Sequence, residues 1–183
     1  MKSLNKNIII PASIVLELLL TTATFAQTKS LSLNIPLLLT GSLNAEHSFV
    51  LSKRYSCHTM VSWNPFKFSN EIKIKHLNAL SGIRLWHWHT YSGFFNGAYI
   101  SGAVYNVGYN STRYQGHNYG IGTTLGYAKM LSKDLNMEFE AGVCASINSF
   151  DMYEIEPCGE FLDSTCKFCL LPFKLSISLV YVF

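Results

Sequence analysis

The feature that most restricts the fold is a two-residue alternation of apolar and polar side chains from Leu135 to Asn148. Successive side chains of a β-strand point to opposite faces, so this period predicts a strand with one apolar and one polar surface. A helix would spread both classes of side chain around its axis. The apolar face carries Leu135, Met137, Phe139, Ala141, Val143, Ala145 and Ile147.

The same alternation recurs along the chain and predicts about eight strands. The other apolar sets lie within 31–37, 43–51, 55–63, 77–85, 119–127 and 175–183. Residues 94–107 are also extended in character, but apolar residues occur on both faces and the orientation stays open. Short turns at 52–54, 90–93 and 132–134 alternate with longer links around 64–75, 108–113 and 152–169. We predict an all-β fold, an up-and-down antiparallel transmembrane β-barrel of about eight strands.

The N-terminus has the layout of a secretory signal peptide. Lys2 and Lys6 precede an apolar stretch from Ile8 to Leu20, and Thr24-Phe25-Ala26 places small residues at the cleavage-determining positions. We predict a signal peptide over residues 1–26 and a barrel domain over 27–183. No later segment has the ~18 consecutive apolar residues of a spanning helix. The expected location is the bacterial outer membrane.

Alternation alone does not tell which face of the sheet points outward. A soluble, lipocalin-like barrel places its apolar face inside and shows charged residues to water. Here the polar face is rich in Gly, Ser and Asn, and charged residues make up only 14% of the chain. This composition favours a narrow polar lumen and an apolar outer wall, with the soluble binder as the alternative. The net charge of +3 comes from scattered basic residues and predicts no nucleic-acid partner.

Several short motifs, taken in order, resemble a known family. They are Asn64-Pro65, Arg84-Leu85-Trp86, Tyr105 to Gly108, Arg113 to Gly116, Tyr119-Gly120, Leu131 to Lys133, Cys158-Gly159 and Pro172 to Phe183. From about Asn64 onward the chain resembles the small exported barrels catalogued as domain of unknown function 3575. The resemblance implies an outer-membrane barrel of Gram-negative anaerobes, often associated with fimbrial genes, and no established activity.

The last strand also resembles a C-terminal assembly signal. It ends in Tyr181 and Phe183, which share its apolar face. Bacterial outer-membrane barrels carry such a terminal aromatic residue as the signal for their assembly. This signal implies the barrel assembly machinery as a partner, the predicted apolar wall implies outer-membrane lipid, and the family resemblance implies fimbrial or other surface proteins.

Four charged side chains fall on predicted lumen faces. They are Arg84, Glu46, Glu138 and Glu140. A narrow barrel cannot leave such charges unpaired in a low-dielectric interior, so we predict an Arg–Glu network that fills the lumen. We interpret the network as a structural plug; a proton path, a solute path or a catalytic carboxylate is the alternative.

Three of the five cysteines, Cys158, Cys166 and Cys169, cluster in the predicted last outer link. In an oxidising compartment we predict a loop disulfide from Cys158 to Cys166 or Cys169. The spacing from Cys166 to Cys169 also suits a redox or metal site. A redox motif needs a neighbouring helix, and a zinc site needs a fourth ligand, so we expect no metal.

Two further groups offer alternative chemistry. Trp86-His87-Trp88-His89 places two His on one strand face, a metal-binding spacing, but its position at the periplasmic boundary favours an aromatic girdle. The candidate hydrolytic sets are His58 with Ser62 and Glu46, and His117 with Ser111. Neither set has a nucleophile-elbow signature. We predict a non-enzymatic barrel with a structural or interaction role and no cofactor; a lipid-modifying enzyme is the alternative.

Overall fold

The chain forms a closed antiparallel barrel of eight strands in sequence order, seen in a computed structural model that describes residues 28–66, 72–109, 112–154 and 159–183. The strands are β1 (Lys29–Asn34), β2 (Leu43–Ser52), β3 (Tyr55–Asn64), β4 (Ile72–Trp86), β5 (Gly93–Tyr109), β6 (Thr112–Met130), β7 (Leu135–Glu154) and β8 (Phe161–Val182). A five-residue helix, α1 (Ile35–Leu39), joins β1 to β2. The predicted all-β, up-and-down architecture is confirmed. The predicted signal peptide, residues 1–26, lies outside the described residues.

Apolar side chains face outward and polar side chains face the lumen. On β6, Tyr119, Ile121 and Leu125 are 62–69% exposed, whereas Thr124 is 1% exposed. The buried set inside the barrel is dominated by Ser, Asn and charged residues. A lipocalin-like barrel requires the opposite arrangement. No helix within the described ranges is long and apolar enough to cross a bilayer.

The strands are strongly tilted. The offset between strands can be measured by going once around the barrel. Starting at Ser32 on β1 and moving to the paired residue on each next strand, one reaches Cys169 on β8. The direct partner of Ser32 on β8 is instead Val180. After allowance for a bulge at Phe173, this offset is about ten residues, which for eight strands corresponds to a tilt of roughly 40–45°. Such a barrel is just wide enough for its interior to be filled by side chains.

The strands become longer from β1 to β8, so the barrel end opposite the short turns is lowest at β1 and highest at β8. Strand length increases from 6 residues in β1 through 10, 10, 15, 17, 19 and 20 to 22 in β8. At the seam, β1 pairs with β8 only between Ser178 and Val182. Among the described residues, β8 has no β1 partner over 161–177. We call this unpaired stretch the β8 edge.

Helix α1 lies where the seam opens. It contacts β8, and its Leu37 packs against the lumen residues Met60, Leu80 and Tyr99. The prediction that Ile35 and Leu37 continue the first strand is wrong, because Pro36 has no N–H for a strand ladder and suits the first turn of a helix. A second proline, Pro172, is tolerated within β8 because it sits beside the bulge and on the β8 edge.

The three predicted short turns are confirmed, but two of the three predicted longer links, 108–113 and 152–169, are largely strand. The β5–β6 connection leaves only residues 110–111 between Tyr109 and Thr112. Strand β8 starts at Phe161, so Cys166 and Cys169 lie in a strand and not in a loop. The polar composition of these segments predicted loops. Strand residues beyond the end of the apolar outer wall can carry polar side chains on both faces, so composition did not distinguish a strand from a loop there.

A cluster of apolar side chains closes the lower end of the lumen, where the short turns lie. Trp86 is fully buried, and its ring lies 4.6 Å from that of Phe95 and 5.8 Å from that of Tyr91. Ala128, Val180 and Val182 complete this base cluster. A Cβ atom at Gly126 would overlap the Phe95 ring, so glycine makes room for this ring.

Residues 94–107, whose orientation the sequence left open, place their odd-numbered side chains inward, as Phe95 and Tyr99 show.

Candidate functional site: a charged network in the lumen

Arg84 lies at the centre of the lumen and contacts all three predicted carboxylates. Its Nη1 donates to Glu138 Oε2 at 2.8 Å, and its Nη2 donates to Glu46 Oε1 at 2.6 Å and to Glu140 Oε2 at 2.7 Å. Its Nε donates to the Tyr99 hydroxyl at 2.7 Å. These side chains are almost completely buried. The structure therefore brings Arg84, Glu46, Glu138 and Glu140 into one hydrogen-bonded group.

Lys174 is a second cation in the same group. Its Nζ donates to Glu46 Oε2 at 2.9 Å and lies 2.8 Å from Glu140 Oε2. The ammonium also lies 4.6 Å from the centre of the Tyr99 ring, a cation–π distance. Thr124 Oγ1 donates to the remaining oxygen of Glu140 at 2.6 Å. Glu140 is thus satisfied at both of its oxygens.

The charges in the network are nearly balanced. Arg84 and Lys174 supply two positive charges against three carboxylates, so neutrality requires one further proton on a carboxyl group or on His58. Glu138 is the least satisfied member, because its Oε1 has no hydrogen-bond partner among the described residues. In a low-dielectric interior such pairing offsets a desolvation cost of several kcal/mol per ion.

A linear series of hydrogen bonds extends the network toward the base cluster. Glu46 Oε1 lies 2.8 Å from His58 Nδ1, and His58 Nε2 lies 2.7 Å from Ser56 Oγ. Ser56 Oγ in turn accepts a hydrogen bond from the Trp86 indole at 2.8 Å. The order Ser, His, carboxylate is that of a hydrolase triad. All three side chains are nevertheless buried in the lumen that the barrel wall encloses.

The hydrolytic sets proposed from the sequence are assembled differently in the structure. His58 and Glu46 are in contact, but the serine that bonds His58 is Ser56 and not Ser62. His117 is exposed on the outer face and packs against Tyr119, and Ser111 lies outside the described residues.

The two His of the Trp-His motif do not share a strand face. Strand β4 ends at Trp86, so His87 and His89 lie in the following turn. Trp86 enters the base cluster, whereas Trp88 is 73% exposed near the barrel's lower end. Within the described ranges, no group of three or more His, Cys, Asp or Glu is arranged to hold a metal ion.

The predicted disulfide partners are only partly described. Cys166 and Cys169 are not bonded to each other or to another described cysteine, and Cys158 lies outside the described residues. Cys169 pairs with the lumen-facing Ser146, and Cys166 pairs with Ser149 on the outer face. The two thiols therefore point to opposite sides of β8, and a bond from either to Cys158 stays a prediction.

Sequence reasoning missed three members of the network: Lys174, Tyr99 and Thr124. Lys174 follows the polar period of β8, so its alternation was a usable signal. Tyr99 lies in the segment whose two faces are both apolar, and Thr124 does not stand out among the small polar residues of β6. His58 was considered only for catalysis.

This fold and its charged interior define a class, that of small eight-stranded up-and-down barrels with a filled lumen. The model of the family described as "Protein of unknown function (DUF3575)" matches residues 12–183, and the chain belongs to this family. The match confirms the membership predicted from the motifs and extends it toward the N-terminus. Neither a curated protein sequence nor a solved structure matches the chain.

Proposed function

We propose that this chain is a non-enzymatic outer-membrane barrel that serves as a rigid anchor for interactions at the cell surface. The observation that carries the proposal is the pairing of an exposed apolar outer wall with a lumen filled by an ionic network. An outer wall of this kind is stable only in lipid, because water would contact a large continuous apolar surface.

The outer wall has the vertical organisation of a membrane-spanning barrel. On β6, Tyr119 and Tyr127 both face outward and flank Ile121 and Leu125. Their eight-residue separation spans about 26 Å along a strand, or roughly 20 Å along the axis at the tilt given above. Aromatic girdles around an apolar band of about 25 Å are typical of outer-membrane barrels.

A polar row lies above the apolar wall on five neighbouring strands. Its members are cross-strand partners: Lys75, Asn106, Gln115, Asp151 and Ser164. Each faces outward by the strand alternation. The change from apolar to polar at one level supports a bilayer boundary there. The tall strands above it would then stand outside the membrane, where fimbrial or other surface proteins can bind.

We expect the folded protein to show heat-modifiable mobility in SDS gels of the outer-membrane fraction. A closed barrel with a buried ionic network resists SDS at room temperature and stays compact, so the unboiled sample should migrate faster than the boiled one. The measurement compares unboiled and boiled samples of outer-membrane, inner-membrane and soluble fractions. Recovery in the soluble fraction without a mobility shift would contradict the proposed location.

One observation favours a second function, a lipid-modifying hydrolase. It is the hydrogen-bonded series of Ser56, His58 and Glu46, which has the triad order. Against it stands the position of Ser56, which is fully buried and already holds the Trp86 indole. A nucleophile must reach a substrate carbonyl, and this hydroxyl faces the packed lumen.

The Ser56→Ala variant separates these two functions. If the protein is an anchor, cells that produce the Ser56→Ala variant should have the same acyl composition of lipopolysaccharide and phospholipid as cells that produce the wild-type protein. It also expects a modest loss of stability of about 1–2 kcal/mol, since the Trp86 N–H would lose its acceptor. Mass spectrometry of extracted lipids is the measurement. A wild-type-dependent loss of acyl chains that disappears in Ser56→Ala would establish the hydrolase instead.

A further inference from the structure

A cavity of about 330 Å³ lies in the upper lumen, above the ionic network. Its floor is formed by Leu80 and Phe173, which pack on Tyr99 and so separate the cavity from Arg84 and Lys174. We call this space the outer cup. Its volume is at the lower end of the range for small-molecule sites, about 300–1,000 Å³.

The wall of the outer cup is mostly apolar and carries a set of hydrogen-bonding groups, among them the imidazole of His76. Asn78, Asn118 and Asn148 project from three strands, and Ser101 and Ser146 add hydroxyls. No Lys, Arg, Asp or Glu is among the described lining residues. Lys167, which pairs with Asn148 on β8, is exposed and does not line the cavity. The wall therefore suits an uncharged ligand that presents both hydroxyl groups and apolar C–H surface.

Part of the amide capacity of the outer cup is unused. Asn118 Nδ2 donates to Asn148 Oδ1 at 2.5 Å, and Asn148 Nδ2 donates to Ser146 Oγ at 3.2 Å. The Asn78 amide has no hydrogen-bond partner among the described residues. Each asparagine amide can donate twice and accept twice, so within the described part of the chain Asn78 and Asn118 keep unused donors and acceptors at the cavity surface.

Above the amides, the inner face of the tall strands becomes aromatic. Tyr105 lines the cavity, and Tyr114 and Phe150 stack edge to face at 5.8 Å one level higher. Amides that both donate and accept match the hydroxyls of a sugar ring, and aromatic rings match its C–H faces. A peptide would use the same amides but needs an extended groove, which a cavity of this volume does not provide.

The wall around the outer cup is lowest beside the β8 edge. Pro172, on this edge and beside the bulge, is among the residues that line the cavity. The low part of the rim lies over β1 and α1. A ligand carried by a membrane lipid could therefore enter as readily as one from the medium.

From these observations we propose that the outer cup binds an uncharged sugar ring of a surface glycan or glycolipid. The inference rests on the proposed outer-membrane orientation only for the source of the sugar. Binding itself is measured on purified, folded protein. A negative result would therefore leave the test of membrane location untouched.

The experiment titrates refolded protein in detergent micelles with glucose, galactose, mannose and N-acetylglucosamine and with their neutral oligomers, using calorimetry. We expect saturable binding of at least one, with a Kd on the order of 1 mM for a single ring. The variants Asn118→Ala and Asn78→Ala should each weaken binding about tenfold, the effect of one lost hydrogen bond. Asn96→Ala is the matched control, because Asn96 pairs with His87 outside the cup and should leave binding unchanged.

Two arms identify the source of the sugar. Binding of free oligosaccharide supports the proposal and points to a glycan from the medium, whereas binding only of the same sugar on a lipid in nanodiscs supports lateral entry. All variants must keep the heat-dependent gel shift, which shows that they fold. Absence of saturable binding to wild type, or binding unaffected by both cup variants, overturns the proposal. The proposal is also overturned if the protein binds a polypeptide probe and none of the sugars.

Discussion

Replacing Arg84 with alanine should lower the free energy of unfolding of the barrel by about 3–5 kcal/mol. The guanidinium donates to Glu46, Glu138 and Glu140 at 2.6–2.8 Å. Without it, Lys174 still contacts Glu46 and Glu140, but Glu138 loses its cationic partner, and the desolvation cost of the three carboxylates is no longer offset. The effect is read from urea unfolding of the protein reconstituted in lipid vesicles, followed by tryptophan fluorescence.

Arg113→Ala is the matched control for this prediction. Arg84 Cζ lies 4.5 Å from the centre of the Phe95 ring, and Arg113 is placed similarly, with its Cζ 4.9 Å from the centre of the Tyr153 ring. Arg113 sits on the outer face near the rim, so its removal should cost less than about 1 kcal/mol. If Arg84→Ala unfolds at the same urea concentration as wild type, the network does not stabilise the barrel, and the plug interpretation fails.

The second large effect is expected for Phe183→Ala, which should reduce the assembled, heat-modifiable fraction severalfold. Phe183 stacks on Tyr181 with ring centres 6.0 Å apart, and both rings are exposed on the outer wall. Its backbone exchanges two hydrogen bonds with Lys29, at 2.9 and 3.0 Å, and so ties the β1–β8 seam. The substitution keeps these backbone bonds and removes only the ring, which isolates the proposed assembly signal.

Phe161→Ala provides the comparison at the opposite end of the same strand. Phe161 is 58% exposed and has no role in the seam. We expect it to assemble like wild type, measured by the unboiled gel band in the outer-membrane fraction after equal induction. Normal assembly of Phe183→Ala would show that the terminal aromatic residue is not required as a signal.

The fold could be predicted from the sequence because its dominant signal is local. In a narrow barrel each strand separates an outer from an inner environment, so residues such as Phe139 and Glu140 report their faces directly. The prediction was wrong where another constraint replaced this one. Pro36 turned the end of the first predicted strand into a helix, and the strands above the apolar wall were mistaken for loops because they are polar on the outside.

The composition of the network was less predictable, because it depends on which strands face one another across the lumen. Arg84 and the three glutamates were found because isolated charges on a polar strand face are rare. Tyr99 was not found, since its strand carries apolar residues on both faces. Ser56 rather than Ser62 bonds His58 because Ser56 lies two residues from His58 on the same face of β3, whereas Ser62 lies four residues away.

The base cluster has a consequence for the cell that makes this protein. In the proposed outer-membrane location, Trp86, Phe95 and Val180 packed across the lower end, with ionic side chains above them, would block the lumen to antibiotics, detergents and small nutrients. A bacterium could then display many copies without weakening its permeability barrier. Abundance would be limited by assembly and not by leakage, a useful property for a protein whose proposed task is to hold something at the surface.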